Sequence, residues 1–420
     1  MRLNEEQKKI LDGKEGGILQ DAIISLIKYG NAMGAEEFIP ISSAHTAFST
    51  MDVVALAFPP RGKELTKEDI NEFSEAISDC QVRVKTTTNP GIIDRERWQE
   101  MGANEVIHNS VMRAMEISKR CGIMMTCSCT PYIGDNIPLM GEHCAWAESS
   151  AHLYINSFLG ARTNRDSYET SLYSALLGIT PNFGMHLDEN RKGTDLVDVQ
   201  CELNNTTDWG ALGYFTGEKV GLGIPVFTNL NKPTMEEAVQ LTANCNSPGG
   251  IPMLLIPGVS PEAPTGEVAF GKNILRKTYI FDEAAKRKIY EDVSYEPEGK
   301  VDMVFLGCPH KTLYEIKKIA QILKGKHVAN DTSLWIMTSY SIRALAKQLG
   351  YAQIIEDSGG KLFADGCLLL YYVNAPAKRP KMDHVVTDSL KQGFGVRRSF
   401  HSNIFVTDTE RCIEIAIGGA

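Results

Sequence analysis

The sequence lacks several features whose absence narrows its function. No apolar run approaches the ~20 residues that span a bilayer, and the amino terminus, MRLNEEQKKILDG, is charged where a secretory leader is apolar. Neither a membrane protein nor a secreted one is expected, and the sequence reads as cytoplasmic. The net charge of −9 is spread along the chain with no block of Lys or Arg, so nucleic acid is not an expected partner. There is no CxxC pair of the kind structural zinc sites use, no GxxxxGK[ST] or GxGxxG frame, no nucleophile elbow, no HExxH helix and no kinase signature set. NSPGGIP, residues 246–252, has adjacent glycines, but they read as a tight turn into a strand at 253–256. Internal repeats and low-complexity segments are absent as well.

What is present is an ordinary globular composition. The 420 residues are 43% hydrophobic and 23% charged, enough to bury a sizeable core in two or more lobes. Apolar, β-branched runs alternate with helical patterns, which predicts an α/β fold with mostly parallel strands. Residues 4–34 read as two short helices broken at glycines. Strands running into polar turns are predicted in EEFIPISSAH, QVRVKTTTNPG, GIMMTCSCTPY, PMLLIPGVSPE, VDMVFLGCPH, SLWIMTSYS, QIIEDSGG and KLFADGCLLL. Ligands of open parallel sheets bind beyond the carboxyl ends of the strands, so the polar residues after each run are the site candidates.

That filter sorts the ten cysteines. In a reducing compartment they are packing residues, ligands or nucleophiles, not disulfides. Cys80, Cys121, Cys201, Cys245 and Cys412 lack a strand-end context and read as packing; Cys144, where a helix is expected to begin, fits either use. Cys127 and Cys129, Cys308, and Cys367 lie at three strand ends far apart in sequence. Converging soft thiolates suit a zinc or iron-sulfur site, with packing as the alternative. Nearby polar residues bear on the choice. Glu148 stands among small and apolar residues in a stretch, 145–159, that reads as a helix, where a carboxylate is costly unless paired or catalytic. Arg162 and Arg165, around Thr163 and Asn164, are either an exposed face or two forks for a carboxylate or phosphate. Ser42, Ser43 and His45, and Thr86, Thr87, Thr88 and Asn89, are either turn and cap residues or donors at two further strand ends.

CTPY at 129–132, GEHCAWAESSA at 141–151, LGARTNR at 159–165, LGCPH at 306–310 and the SSAH and TTTNP turns together resemble the large subunit, or catalytic domain, of aconitase X, a divergent branch of the aconitase superfamily. The resemblance runs through the chain in the same order and with similar spacings. It implies aconitase-like three-layer α/β/α lobes, with mostly parallel sheets around a central cleft. It also implies an iron-sulfur hydro-lyase, with cluster nuclearity left open, in which Cys129, Cys308 and Cys367 fall on the ligand positions. ADGC in place of the family's more usual DTC departs from the pattern at Cys367, and Cys127 is an extra thiol beside Cys129. One iron open to the substrate would act as a Lewis acid on its hydroxyl. The family's proton-abstracting serine sits in a small swivelling domain rich in Gly and Ser. No segment of this sequence looks like it, which implies a separate small subunit acting in trans. Glu148, His143 and His310 are then candidate proton shuttles or cluster neighbours. Ser43, His45, Thr87, Thr88, Asn89, Ser149, Ser150, Arg162, Asn164 and Arg165 are candidates for binding the substrate.

Members of the family dehydrate cis-3-hydroxy-L-proline or mevalonate 5-phosphate, both β-hydroxy acids. Arg162, Arg165 and Lys85 would suit a phosphate, yet the arginines would equally grip a carboxylate. The sequence reading favours the hydroxyproline-type acid, with mevalonate 5-phosphate as the alternative and a non-catalytic metal- or small-acid-binding protein as a reading of another class. Residues 1–210 plus 390–420 are expected to form one lobe, carrying Cys129 and the GEHCAWAESSA and ARTNR motifs. Residues 211–389 are expected to form a second, inserted lobe carrying Cys308 and Cys367.

Overall fold

In the computed structural model, residues 1–47, 80–295, 299–373, 380–400 and 402–418 are described. Five of the runs named above supply β1, β2, β3, β9, β10 and β11, and further strands form where none was expected; in chain order they are β1 (Phe38–Pro40), β2 (Ser43–Thr46), β3 (Lys85–Thr88), β4 (Cys144–Trp146), β5 (Ile179–Pro181), β6 (Asp195–Val199), β7 (Pro225–Thr228), β8 (Lys277–Phe281), β9 (Met303–Leu306), β10 (Ser333–Thr338), β11 (Lys361–Ala364), β12 (His384–Thr387) and β13 (Asn403–Val406). They form parallel sheets of order β3-β2-β4, β7-β6-β8 and β11-β10-β9-β12-β13, with β1 and β5 as an antiparallel pair. Helices cover the sheets, which makes the chain a mixed α/β protein with mostly parallel sheets.

The five-stranded sheet shows why. Met303, Val304, Phe305 and Leu306 of β9 are at most 1% exposed, as a strand covered on both faces must be. The helix Leu313–Leu323 is capped by Thr312, whose side chain accepts the Glu315 N–H in a capping box. It buries Ile316, Ile319, Ala320 and Leu323 against Val304, Leu306, Leu334 and Ile336. Burying each large apolar side chain contributes about 1.5–3 kcal/mol. Gly307, directly after β9, has φ 125°, and a Cβ there would lie 2.5 Å from the Met337 carbonyl oxygen. Only glycine lets the chain turn into the Cys308 loop so close to β10.

Tertiary contacts overrode the sequence expectation in several places. GIMMTCSCTPY and PMLLIPGVSPE form no regular strand and supply only single bridges, Thr87 to Met124 and Val226 to Leu255. The first run is broken at Cys127, whose φ is 46°. QIIEDSGG is helical within Tyr351–Asp357, because Ala352 and Ile355, three apart, bury one face. The stretch 145–159 is not one helix: β4 is followed by a turn, a short helix Ala151–Tyr154 and a π-helical turn Ile155–Leu159. The strands fall into separate sheets. β13, expected with the first lobe, pairs in parallel with β12 beside β9.

The first and third groups of strands meet at their carboxyl ends. Gly91, beyond β3, bridges Gly366, beyond β11. Arg343 of the helix Tyr340–Gln348 forms a buried ion pair with Asp94, and Asp94 also accepts the Ala364 N–H at 2.8 Å. Arg95 pairs with Asp365 at 2.5 Å. These contacts close a cleft onto which strand ends from both groups open. No helix of the described residues is long and apolar enough to cross a membrane.

Candidate active site

A cavity of about 190 Å³ lies in that cleft. Its walls come from residues just past strands: Ala47 after β2, Asn89 after β3, Glu148 and Ser149 after β4, Cys308 and His310 after β9, Cys367 after β11, and Lys391 and Gln392 after β12. Cys129 and Tyr168 join them, and Phe305, Leu368 and Leu369 add apolar surface. The three cysteines picked from the sequence thus line one cavity from three separate loops. They are half-buried, whereas Cys121, Cys127, Cys144, Cys245 and Cys412 are fully buried. Cys127 packs away from the cavity, its Sγ accepting from the Arg95 guanidinium at 3.7 Å and from the Thr88 hydroxyl at 3.9 Å. Cys144 accepts from the Ser43 hydroxyl at 3.5 Å.

Burial pushes Cys308 up to about 12, against the pull of Lys391, and raises Cys129 and Cys367 as well. The thiols are therefore protonated at neutral pH, and any metal that binds them must displace protons. Among the described residues no group of three or more His, Cys, Asp or Glu is gathered as a single-ion site. Three thiols spaced around a cavity form a soft donor set suited to a thiolate-held metal group, not to a hard cation.

His310 ties the cysteine loops together. Its backbone N–H donates to Cys129 Sγ at 3.3 Å, and its Nε2 meets the Gly366 carbonyl oxygen at 2.8 Å. A carbonyl only accepts, so Nε2 carries the hydrogen and Nδ1 is a bare lone pair. That Nδ1 is buried without a partner. Burial holds the imidazole down at about 4, so it is neutral.

Glu148 is the anion of the site. One oxygen accepts the Ser150 and Ala151 N–H groups, each at 2.5 Å, and the Ser150 hydroxyl at 2.7 Å; the other takes the Ser149 hydroxyl at 3.1 Å and Lys391 Nζ at 3.4 Å. Burial alone would raise its carboxyl, but the Lys391 cation and the hydrogen bonds outweigh it and hold it at about 2. A carboxylate held so low is a poor base at neutral pH. It serves to fix Lys391, which also donates to Ser149 at 3.1 Å.

The other predicted residues separate into supports and bystanders. His45 is fully buried, its Nε2 meeting Asn89 Oδ1 at 2.7 Å and its Nδ1 meeting Thr87 Oγ1 at 2.8 Å. It orients Asn89 and does not itself line the cavity. Thr87 also accepts from Asn136 at 3.1 Å, and Thr88 Oγ1 accepts the Cys127 N–H at 3.2 Å. Ser43 accepts the Trp146 indole N–H at 3.2 Å. Three candidates are moved off the site. His143 pairs Nδ1 to Nδ1 with His186 at 3.0 Å. Arg162 is tied to Asp188 and to the His186 carbonyl. Asn164 holds the 183–185 turn through Phe183 and Met185. Their side chains point along hydrogen bonds the fold itself requires, which residue type alone does not reveal. Arg165 differs: it is exposed, bonds Asn246 at 3.0 Å and acts on Tyr168 of the cavity wall. Sequence reasoning missed Lys391 and Gln392. The signal was available, since HVVTDSLKQ has the same strand-into-polar-turn design as the runs singled out.

Comparison with known proteins agrees with this geometry. The aconitase X first, second and third domains match residues 1–189, 193–291 and 301–418. The phosphomevalonate dehydratase large subunit of Methanocaldococcus jannaschii is 35% identical over 99% of this chain and 100% of its own length. That of Thermococcus kodakarensis is 35% identical over 99% and 100%. The cis-3-hydroxy-L-proline dehydratase of Pseudomonas aeruginosa is 27% identical over all of this chain and 70% of its own length. A crystal structure of Thermococcus kodakaraensis aconitase X in its holo form superposes with a TM-score of 0.86 at 34% identity, covering 99% of this chain and 100% of that one. Three domain matches in order and similarity along the whole chain show the family: the chain belongs to the aconitase X family of hydro-lyases.

Proposed function

We propose that this chain is the large subunit of a dehydratase that removes water from mevalonate 5-phosphate, using an iron-sulfur cluster held by Cys129, Cys308 and Cys367. The observation that carries the reaction class is the convergence of three half-buried thiols, from three loops far apart in sequence, on one cavity. The substrate choice rests on the relatives. Phosphomevalonate dehydratase large subunits reach 35% identity from end to end, against 27% for the hydroxyproline enzyme, of which this chain spans 70%. That reverses the order of the two substrates suggested by the sequence reading; cis-3-hydroxy-L-proline becomes the second candidate.

The donor set fits the cluster: three soft thiols on one cavity and a cation, Lys391, that offsets thiolate charge. Bound there, the cluster supplies Lewis-acid polarisation of the leaving hydroxyl. The chain's own residues do the rest. Lys391 and Arg165 provide the positive charge that an anionic substrate needs. His310, a neutral residue of the cavity lining whose Nδ1 is buried without a partner, would accept a hydrogen bond from the substrate hydroxyl or the departing water through that nitrogen. Glu148 stays ionised and keeps Lys391 in place. Asn89, oriented by His45, presents its amide at the wall. The base that takes the carbon-bound proton comes from a small subunit, as the relatives' designation as large subunits suggests. A cytoplasmic setting, where thiols stay reduced, belongs to the same proposal.

The test is turnover. The chain is purified anaerobically, loaded with iron and sulfide, and assayed with and without the small subunit on both substrates. Dehydration of mevalonate 5-phosphate by the pair, and not by the large subunit alone, is the expected result. Preferential turnover of cis-3-hydroxy-L-proline would move the substrate assignment. Full activity of the isolated chain would overturn the two-subunit reading.

A further inference from the structure

The first turn of the helix Leu390–Phe400 brings two donors to the cavity wall that neither the cysteines nor the recognised motifs account for. Lys391 Nζ is held at the wall by Ser149 and Glu148. Gln392 beside it is 2% exposed and lines the same cavity, and its Nε2 has no hydrogen-bond partner. A buried donor without an acceptor is costly, and native structures rarely keep one without a use. The backbone does not take that role here. The Lys391 N–H donates to Asn244 Oδ1 at 2.5 Å and the Gln392 N–H to Ser389 Oγ at 3.2 Å, so these backbone donors are taken and the side chains are the donors left at the wall. Acceptors inside the cavity are already committed: Glu148 is bound by Ser149, Ser150 and Lys391, and the three thiols are the proposed cluster ligands. Ser149 is spent on Glu148, and Ala47, Pro90, Phe305, Leu368 and Leu369 offer a carboxylate no side-chain donor, which leaves Asn89 and Tyr168 as the other polar groups of the wall beside Lys391 and Gln392. A helix amino terminus with an ammonium and a carboxamide is a site for a planar anion.

The geometry points to Lys391 Nζ and Gln392 Nε2 as the clamp for the carboxylate of the substrate, a specificity determinant for β-hydroxy acids over alcohols of the same shape. This rests on the reaction class proposed above. A clamp at this depth places the acid end near the cysteines and leaves the phosphate end to point toward Tyr168 and Arg165. Lys391 and Gln392 touch only the substrate's acid group, so they set its position and take no proton.

Binding separates this proposal from the functional one. Isothermal titration of the cluster-loaded chain compares mevalonate 5-phosphate with 3-hydroxy-3-methylbutyl phosphate, which lacks only the carboxylate. Wild type is expected to prefer the acid by about a hundredfold or more. In Gln392→Leu that preference should fall about tenfold, and in Lys391→Met further, while affinity for the carboxylate-free analogue stays within about twofold. Lys391→Arg should restore part of the preference, and unchanged iron content and melting temperature in Gln392→Leu, which breaks no ion pair, would exclude a merely structural effect. Equal loss of affinity for both compounds in the variants, or no preference for the acid in wild type, overturns the clamp. A preserved preference in a wild-type enzyme that does not dehydrate the acid would sink the functional proposal and leave the clamp standing. With the small subunit present, Gln392→Leu should raise KM about tenfold and leave kcat within about threefold.

Discussion

Two polar regions of this protein looked alike in sequence and differ in structure. Around the cavity, Cys129, Cys308, Cys367, His310 Nδ1 and Gln392 Nε2 retain bonding capacity that the fold does not use. Around β2, β4 and the residues that follow, His45, Thr87, Ser43, Cys144, Asn164 and Arg162 are engaged with one another or with backbone. Both regions draw on the same quoted motifs; GEHCAWAESSA supplies His143 and Cys144 to the second and Glu148 and Ser149 to the first. What separates the two regions is that the first lines a cavity and the second does not.

The largest effect that would test this contrast lies in the cysteines. Cys129→Ser, Cys308→Ser and Cys367→Ser should each abolish retained iron and activity, while the metal-free chains unfold within a few degrees of wild type. Cys127→Ser and Cys144→Ser should keep full iron content. Iron and sulfide analysis after anaerobic reconstitution decides it, and iron retained at wild-type level in any of the first three removes that residue from the ligand set.

Next comes Glu148. Glu148→Gln keeps the shape of the turn but removes the charge that holds Lys391, and should cost about 2 kcal/mol of stability together with a clear loss of affinity for the substrate. Chemical denaturation and titration calorimetry measure the two losses. If stability falls but affinity does not, Glu148 belongs with the closed region.

A third prediction concerns pH and the closed region. Burial raises Asp166 to about 7, with Oδ2 unpartnered, against an ordinary 3.8. The folded state thus keeps a proton that the unfolded chain has released. This carboxyl's contribution to stability is full below about pH 4, declines as pH rises, and is gone above about pH 7. Asp166→Asn should flatten that slope and stabilise the protein at pH 8 by about 2 kcal/mol. Unfolding curves at pH 5 and pH 8 check it, and parallel pH slopes in the two proteins would show that the carboxyl is ionised when folded.

The smallest expected effects lie furthest from the cavity. Arg162→Ala breaks an ion pair with the well-exposed Asp188, and should cost no more than about 1 kcal/mol with KM unchanged. His143→Ala should behave likewise. A tenfold rise in KM in either would return these residues to the binding site.

Much of this arrangement was legible beforehand. The strand-end rule pointed to Cys308 and Cys367, which line one cavity because a parallel sheet exposes its loops on one edge, and a run such as VDMVFLGCPH marks that edge directly; Cys129 reaches the same cavity from a loop that follows no regular strand. Periodicity failed where tertiary contacts decided. Apolar QII in QIIEDSGG suits a strand or a buried helix turn, and the face presented to β11 and the neighbouring helices made it helical. CAWAE was lost as a strand because three residues paired beside β2 are too few to show an alternation.

By itself, then, the sequence determined the α/β class, the runs that became β1–β3 and β9–β11, the family, and which thiols to look for at one cavity. All of these depend on local pattern or on motif identity. Tertiary structure alone decided which polar side chains remain unsatisfied: that Arg162 turns to Asp188, that His45 serves Asn89, and that Lys391, some 240 residues beyond Glu148, completes the site. Those outcomes depend on long-range hydrogen-bond partners, which no spacing along the chain encodes.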